Sequence, residues 1–206
     1  MSISLKEYLK NPCGTLSIPY WKNKVISIPN SIEILHQNEF HHQYKEYQRY
    51  FRLLHPLKDL KPIMNGIETI SISEELLNLL NVCFKKENIE LSFKDLYNMQ
   101  SHPTFQQTLW VGIRKEGMLI ACGIAEYDEE CREGTIEWIC VLSKFQKEGY
   151  GTKIISCLLQ RLKELGALFA TVSGRVDNVS NPEKFYRSCG FIGSDIWYIC
   201  NKKEEK

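Results

Sequence analysis

The chain has 206 residues, 43% of them apolar, and a formal net charge of +1 at neutral pH. That length fits one domain, or one domain with an extension, and a sequence pI near 7.5 argues against electrostatic binding to nucleic acid or membranes. The first residues lack the apolar core of a signal peptide, no apolar run reaches the roughly 18 residues of a membrane span, and the eight cysteines lack zinc-type spacing. The composition therefore predicts a soluble cytoplasmic protein with reduced thiols and no metal site.

Residues 1–65 are predicted to form an N-terminal extension. Short strands are expected at Thr15–Trp21 and Ile32–Leu35, whereas residues 44–57 fit a helix or a strand equally well. These segments carry many apolar side chains, and no linker rich in Gly, Ser or Pro separates them from the rest. We therefore expect the extension to pack on the remainder of the chain.

Residues 66–201 alternate between strand and helix patterns, and the charged residues 202–206 are expected to be a solvated tail. Ser73 is the predicted N-cap of the first helix, and Gly166 the predicted stop of the longest one. The elements predicted in order are a strand at 67–72, helices at 73–83 and 92–99, a hairpin at 109–127 turning at 115–117, a strand at 135–141, a helix at 153–165, a strand at 168–173, a short helix at 182–188 and a strand at 196–200.

The stretch from Val141 to Thr152 lies between a predicted strand and a predicted helix. A glycine-bearing turn at the start of a helix gathers backbone N–H groups at the positive end of the helix dipole, which suits a phosphate. The P-loop pattern fails because position 146 is not glycine, and the Rossmann pattern fails because position 154 is isoleucine. The pattern that fits is Q-x-x-G-x-G, formed by Gln146, Gly149 and Gly151.

A second pattern follows about 35 residues later. Asn178, Asn181 and Tyr186 precede the pair Gly190-Phe191. Together, in this order, the two patterns resemble the GCN5-related N-acetyltransferases, and the likeness extends over roughly residues 70–201. Asn178 stands eight residues before Tyr186, where the family more often has seven, so either Asn178 or Asn181 can fill the family's asparagine position.

The resemblance implies an α/β fold with a mixed, mostly antiparallel central sheet, helices on both faces and an N-terminal extension. It also implies acetyl-CoA as co-substrate. In the family the strand before the glycine turn carries a bulge and leaves backbone groups for the acetyl-pantetheine arm, with the Val141 N–H as the expected donor to the thioester carbonyl. The residues expected to bind the cofactor are Ile139, Cys140, Val141, Gln146, Lys147, Glu148, Gly149, Tyr150, Gly151, Thr152, Asn178 and Asn181.

Two side chains are candidates for proton transfer. Tyr186 matches the family's general-acid tyrosine and would protonate the departing thiolate, because a phenol is protonated at neutral pH. Glu137 is the candidate base, since strict alternation along the strand would put it on the same face as Ile139 and Val141. A water chain is the alternative base, and both side chains also fit purely structural roles.

The sequence thus predicts an acetyl-CoA-dependent N-acetyltransferase that lets a primary amine attack the thioester directly in a ternary complex. The alternative is a non-catalytic acyl-CoA-binding sensor or interaction module. The identity of the amine and the oligomeric state stay open, and residues 1–65 are expected to wall the acceptor site.

Overall fold

The computed structural model of the protein describes residues 4–15, 28–41, 44–60, 62 and 65–202. The chain divides into two compact units, one made of Met1–His55 with Thr171–Lys206 and the other of Pro56–Ala170. The helices are α1 (Leu5–Lys10), α2 (Glu74–Phe84), α3 (Phe93–Gln100), α4 (Tyr150–Glu164) and α5 (Pro182–Ser188). The strands are β1 (Ile32–His36), β2 (Tyr47–His55), β3 (Glu68–Thr69), β4 (Trp110–Lys115), β5 (Met118–Asp128), β6 (Glu133–Val141), β7 (Phe169–Arg175) and β8 (Ile192–Asn201).

The unit of residues 56–170 is built on antiparallel strands in the order β6-β5-β4-β3. One face of these strands packs against α2 and α3 through a buried cluster that includes Leu80, Leu96, Trp110 and Ile124. The other face carries α4, whose side chains Ile154 and Leu158 contact β5 at Gly123 so closely that an added Cβ would lie 2.3 Å from Ile154. Gly123 therefore sets how near the helix can come to the sheet.

The unit formed by residues 1–55 and 171–206 has the strand order β1-β8-β2-β7. The C-terminal strand β8 pairs antiparallel with both β1 and β2, so two strands from the first 55 residues flank the last one. The buried side chain of Arg52 on β2 donates to the Pro12 carbonyl at 3.1 Å and to the Tyr8 hydroxyl at 3.2 Å, which fastens the N-terminal helix region to β2.

Most predicted elements are confirmed. Within the ambiguous segment 44–57, Tyr47–His55 forms a strand, because its backbone pairs antiparallel with β8, with one register shift between Arg52 and Leu54. The predicted strand at 67–72 shortens to Glu68–Thr69, and β8 begins four residues earlier than predicted. The predicted strand at Thr15–Trp21 falls on residues of which all but Thr15 lie outside the described part, and the segment boundaries at 65/66 and 201/202 stay predictions.

The predicted fold class, a mixed and mostly antiparallel sheet with helices, is confirmed. In the described part of the chain, no helix is both long and apolar enough to cross a membrane. Over the same residues no group of three or more His, Cys, Asp or Glu side chains is placed to hold a metal ion. All eight cysteines fall within the described ranges and are thiols.

Candidate functional site

The connection from β6 to α4 is a tight turn. A short 3-10 turn at Ser143–Phe145 is followed by Gln146 in an extended conformation, then by Lys147 with φ of 65° and Gly149 with φ of 86°. Two left-handed residues so close together bend the backbone sharply into the helix. Residues 146–149 are exposed, so the turn faces solvent.

The N-terminus of α4 differs from every other α-helix N-terminus that the structure describes. The N-cap side chains of the other four, Ser4, Ser73, Ser92 and Asn181, each accept a hydrogen bond from a first-turn N–H, and each first turn contains an acidic residue. Helix α4 begins at Gly149 with no side-chain cap and no acid in its first turn. The orphan N–H groups and the positive end of the longest helix dipole are therefore presented to an external anion.

The two glycines of the pattern serve different needs. Gly149 has a positive φ and open space around the position where a Cβ would lie, so glycine is needed there for backbone conformation. Gly151 lies inside the first turn of α4 and is not among the residues with positive φ. Its backbone conformation would therefore accept a side chain, so glycine is not required at 151 for backbone geometry.

Cationic side chains surround the turn. The ammonium groups of Lys115 and Lys144 lie 5.0 and 4.9 Å from the centre of the Phe145 ring, and that of Lys153 lies 5.4 Å from the Tyr150 ring. Such contacts hold a cation over an aromatic face within about 6 Å. Lys115 also reaches Glu148 at 4.0 Å. The turn thus combines backbone donors with positive charge.

The end of strand β6 leads into this turn. Val141 is the partner of Ala121 on β5, and the next residue, Leu142, donates its N–H to the Ile120 carbonyl at 2.9 Å. Because consecutive N–H groups of a strand point in opposite directions, the Val141 N–H is directed away from β5. The Gln146 side chain donates to the Val141 carbonyl at 3.1 Å, which ties the turn to the strand.

A β-bulge interrupts β6 at Glu137. On β5 the consecutive residues Ile124 and Ala125 pair with Trp138 and Ile136, so Glu137 is the extra residue. A bulge re-aims the side chains around it, and simple alternation therefore no longer decides which face Glu137 occupies. The bulge expected from the resemblance is present, four residues before Val141.

Cys140 lies between the bulge and the turn. Its thiol is buried and sits 3.3 Å from the Cys122 thiol on β5, with Ile139 and Val141 half-buried on either side. The hydrogen bond to Cys122, together with burial, raises the pKa of the Cys140 thiol well above its ordinary value. The Cys83 thiol, hydrogen-bonded to Cys140, also has a raised pKa. These thiols stay protonated near neutral pH and are poor nucleophiles.

The second sequence pattern belongs to the other unit. Asn181 is the N-cap of α5, and its side chain accepts the Lys184 N–H at 3.3 Å. Asn178 accepts hydrogen bonds from the N–H and the hydroxyl of Ser180, at 2.9 and 2.7 Å. Both carboxamide oxygens thus accept hydrogen bonds from residues close in sequence. These contacts do not distinguish which asparagine occupies the position of the family's asparagine.

Tyr186 lies on α5, and its residue is only 8% exposed. Its ring contacts Phe51, Phe185 and Phe191, with ring centres 6.2, 5.3 and 5.7 Å away. The ring is therefore part of a packed aromatic cluster, while its hydroxyl gives the residue a polar end.

Two features of the Pro56–Ala170 unit were missed by sequence reasoning. Lys115 comes from the β4–β5 hairpin, 30 residues before the turn that it reaches, and no pattern marks it. His102 follows α3 and places its Nδ1 2.9 Å from the Glu126 carboxylate on β5. Glu126 itself is buried, at 5% exposure.

Comparison with known proteins adds to this geometry. Residues 73–191 match a family model described as Acetyltransferase (GNAT) family, a range that includes both sequence patterns. A search of curated proteins gives no match.

Solved structures resemble the fold at low sequence identity. A GCN5-related N-acetyltransferase from Sphaerobacter thermophilus aligns with a TM-score of 0.64 and 13% identity over 78% of this chain and 53% of its own, so the chain spans about half of that protein. The ribosomal-protein-S18-alanine N-acetyltransferase from Escherichia coli aligns with a TM-score of 0.53 and 17% identity over 69% of this chain and 98% of its own. A functionally unknown conserved protein from Staphylococcus epidermidis aligns with a TM-score of 0.54 and 12% identity over 97% and 81%.

Proposed function

Because the chain belongs to the Acetyltransferase (GNAT) family, we propose that it binds acetyl-CoA and transfers the acetyl group to a primary amine by direct attack in a ternary complex. Acetyl transfer from an acyl-CoA is the general activity of the family. The choice of acetyl-CoA, the amine acceptor, the ternary complex and the residues named below are proposals specific to this chain.

The observation that carries the proposal is the N-terminus of α4. It alone among the described α-helices lacks both a side-chain cap and a first-turn acid, and the sequence pattern of the family falls on it. We propose that the pyrophosphate of acetyl-CoA accepts hydrogen bonds from the backbone between Gln146 and Thr152. Lys115, Lys144 and Lys153 would add charge attraction around the phosphates.

The acetyl-pantetheine arm is proposed to follow β6 backwards from the turn. Its polar groups would meet the backbone of Ile139, Cys140 and Val141, where the Val141 N–H points away from β5. The bulge at Glu137 frees further backbone groups from the β5 ladder. A backbone N–H fixed in the protein stabilises the oxyanion that forms at the thioester carbonyl.

Direct transfer fits the state of the thiols. An acyl-enzyme route needs a thiolate, and the thiol closest along the strand to the proposed arm, Cys140, is buried with a raised pKa. In direct transfer Glu137 or a water chain takes a proton from the attacking nitrogen. Tyr186 is the proposed donor to the departing thiolate.

Two further expectations accompany this function. Residues 1–65 are proposed to wall the acceptor site, and limited proteolysis that removes them while full activity remains would contradict this. The eight thiols suit a reducing compartment, so we propose a cytoplasmic location.

The test combines binding and turnover. Calorimetry should show acetyl-CoA binding to the wild-type protein, and release of free CoA should depend on an added primary amine. Replacing Gly149 and Gly151 together by valine should abolish binding, and a folded double variant with unchanged affinity would refute the proposed cradle. Binding without turnover across a panel of amino acids, diamines, amino sugars and peptide N-termini would favour a non-catalytic acyl-CoA-binding module.

A further inference from the structure

Gln146 is hydrogen-bonded to residues that precede it at two points. Its backbone N–H donates to the Ser143 carbonyl at 3.3 Å, and its side-chain Nε2 donates to the Val141 carbonyl at 3.1 Å. The first bond closes a short loop within the turn, whereas the second reaches back to strand β6. The side chain of Gln146 therefore connects the glycine turn to the end of β6.

The carbonyl that Gln146 binds lies on the edge of β6 that faces away from β5. In an antiparallel ladder, residue pairs that exchange hydrogen bonds alternate with pairs that do not. Leu142 donates its N–H to the Ile120 carbonyl at 2.9 Å. The neighbouring pair, Val141 with Ala121, is therefore of the second kind, and both the N–H and the carbonyl of Val141 point away from β5. Gln146 thus binds the same edge that carries the proposed donor to the thioester carbonyl.

The turn that Gln146 connects to β6 is exposed and includes an unfavourable backbone conformation. Residues 146–149 are exposed and none of Ser143–Phe145 is buried, so hydrophobic packing does little to fix the turn. Lys147 has a φ of 65°, a left-handed conformation that is unfavourable for a residue with a Cβ. Such a conformation persists only where its surroundings impose it. A bond to β6 from the residue immediately before Lys147 supplies such a constraint.

Acetyl-CoA carries its pyrophosphate at one end of the pantetheine arm and its thioester at the other. In the proposed function the pyrophosphate binds the turn before α4 and the thioester binds the Val141 N–H. The affinity gained by occupying two sites with one molecule is greatest when the distance between the sites matches the length of the arm. The bond from Gln146 to Val141 joins these two sites directly.

We propose that Gln146 is a positioning residue, which holds the pyrophosphate site and the thioester site at the separation that the arm of acetyl-CoA spans. It acts through the turn and Val141, without a side-chain contact to the cofactor. This role rests on the proposed function. Its consequence is that loss of the side-chain bond should weaken binding of the whole cofactor more than binding of either of its ends.

The test compares acetyl-CoA with its two parts, ADP and S-acetylpantetheine, in Gln146→Met. Methionine keeps the length of the side chain and removes its donor. The Kd for acetyl-CoA should rise about three- to tenfold, the equivalent of one hydrogen bond, whereas the Kd for each part should stay within about twofold of wild type. Calorimetry measures acetyl-CoA, and displacement of labelled acetyl-CoA measures the two weaker ligands.

Turnover gives a second readout, which a change in stability alone would not move. With one amine acceptor throughout, kcat/KM for acetyl-CoA should fall in Gln146→Met by the same factor as the affinity. With S-acetylpantetheine as the acetyl donor, kcat/KM should not change, because the short donor occupies only the thioester site.

The matched control is Gln107→Met. The Gln107 Nε2 donates to the Ile70 carbonyl at 2.7 Å, so the same type of side chain makes the same kind of bond, here beside strands β3 and β4. This variant should lose as much stability as Gln146→Met in denaturant titration and should leave all three affinities at their wild-type values.

Equal weakening of ADP and acetyl-CoA in Gln146→Met would overturn the positioning role, because the bond would then only shape the pyrophosphate site. Tighter binding of acetyl-CoA would also overturn it, because Gln146 would then compete with the arm for the Val141 carbonyl. Unchanged affinity for acetyl-CoA, beside a wild-type protein that binds it, would overturn the role of Gln146 alone. A wild-type protein that does not bind acetyl-CoA would overturn this role together with the proposed function.

Discussion

The two parts of the family signature differ in exposure and in how their polar groups are used. At the N-terminus of α4, Gly149 leaves the first turn without a side-chain cap, and the adjoining turn is exposed and flanked by lysines. In the segment around α5, Asn181 caps the helix, Asn178 closes a turn, and Tyr186 is buried among phenylalanines. One part presents its polar groups outward, and the other uses them within the fold.

This difference separates two kinds of inference. For the α4 turn, geometry alone indicates an anion site, because a helix end without a cap has donors still to be satisfied. For the α5 segment, the hydrogen bonds and ring contacts described above support the fold, and a catalytic role for Tyr186 rests on the family signature. Variants of the first part should therefore affect binding with little effect on stability, and variants of the second should reveal whether Tyr186 has a role beyond packing.

The largest effect is expected from Gly151→Asp. A carboxylate in the first turn of α4 would occupy the space beside the N–H groups and repel a pyrophosphate, so the Kd for acetyl-CoA should rise more than 100-fold, or about 3 kcal/mol. The free energy of unfolding of the ligand-free protein should rise by up to about 1 kcal/mol, because an acid suits a helix N-terminus and glycine does not suit a helix. Calorimetry and denaturant titration measure the two quantities.

Gly151→Ala is the control for that variant. It adds only a methyl group, so it should stabilise the helix similarly while weakening binding far less. If Gly151→Asp binds acetyl-CoA as well as wild type, the α4 turn is not the pyrophosphate site.

The next effect is expected from Tyr186→Phe, which keeps the ring contacts and removes only the hydroxyl. If Tyr186 is the general acid, kcat at saturating acetyl-CoA should fall at least tenfold, and by roughly 10²–10⁴-fold if the full contribution of a general acid is lost. The melting temperature should change little, because a lost hydroxyl hydrogen bond costs only about 0.5–1.5 kcal/mol. A near-normal kcat would leave Tyr186 as a packing residue.

A smaller effect on stability is expected from Asn181→Ala. Loss of the N-cap of α5 should lower the free energy of unfolding by about 1 kcal/mol. Ser73→Ala at the N-cap of α2 is the comparison variant and should cost less, because Ser73 is extended whereas Asn181 has φ of 49°, a conformation that alanine tolerates poorly. If Asn181 also contacts the cofactor, its variant alone should weaken acetyl-CoA binding; equal affinity in both would make Asn181 a cap and no more.

The smallest effect is expected from Lys115→Met, which keeps an apolar stem over Phe145 and removes the charge. The Kd for acetyl-CoA should rise severalfold at low salt, corresponding to less than about 1 kcal/mol for one exposed charge. The difference from wild type should shrink as salt is added, since exposed charges are screened. A difference that does not depend on salt would indicate lost packing instead.

Much of the fold could be predicted because its signals are local. Ser73 as an N-cap, the hairpin turn at 115–117 and the bounds of α5 follow from neighbouring residues. The segment 44–57 could not be assigned, because its apolar residues fit two periodicities until β8 supplies a partner. The predicted strand at 67–72 pairs over only two residues, which sequence pattern does not reveal.

The candidate site divides in the same way. The glycine turn before α4 was predictable because glycines at fixed spacing before an amphipathic helix constrain the backbone directly. The face of the sheet on which Glu137 lies could not be predicted. One extra residue in β6 changes the alternation of side chains, and that extra residue is recognised only when β6 is paired with β5. The contacts of Lys115 with the turn and of Glu126 with His102 could not be predicted either, because each joins segments that are distant in the sequence.

The sequence by itself determined the family signature, the order of the strands and helices from residue 66 onward, and the helix end that is left uncapped, since each depends on residues a few positions apart. Only the tertiary structure decided which side chains from distant segments meet: the thiols of Cys122 and Cys140, the aromatic cluster around Tyr186, and the pair of His102 with Glu126. The physical reason is that burial and electrostatic environment arise from contacts between segments, and those contacts are fixed by register and packing rather than by local pattern.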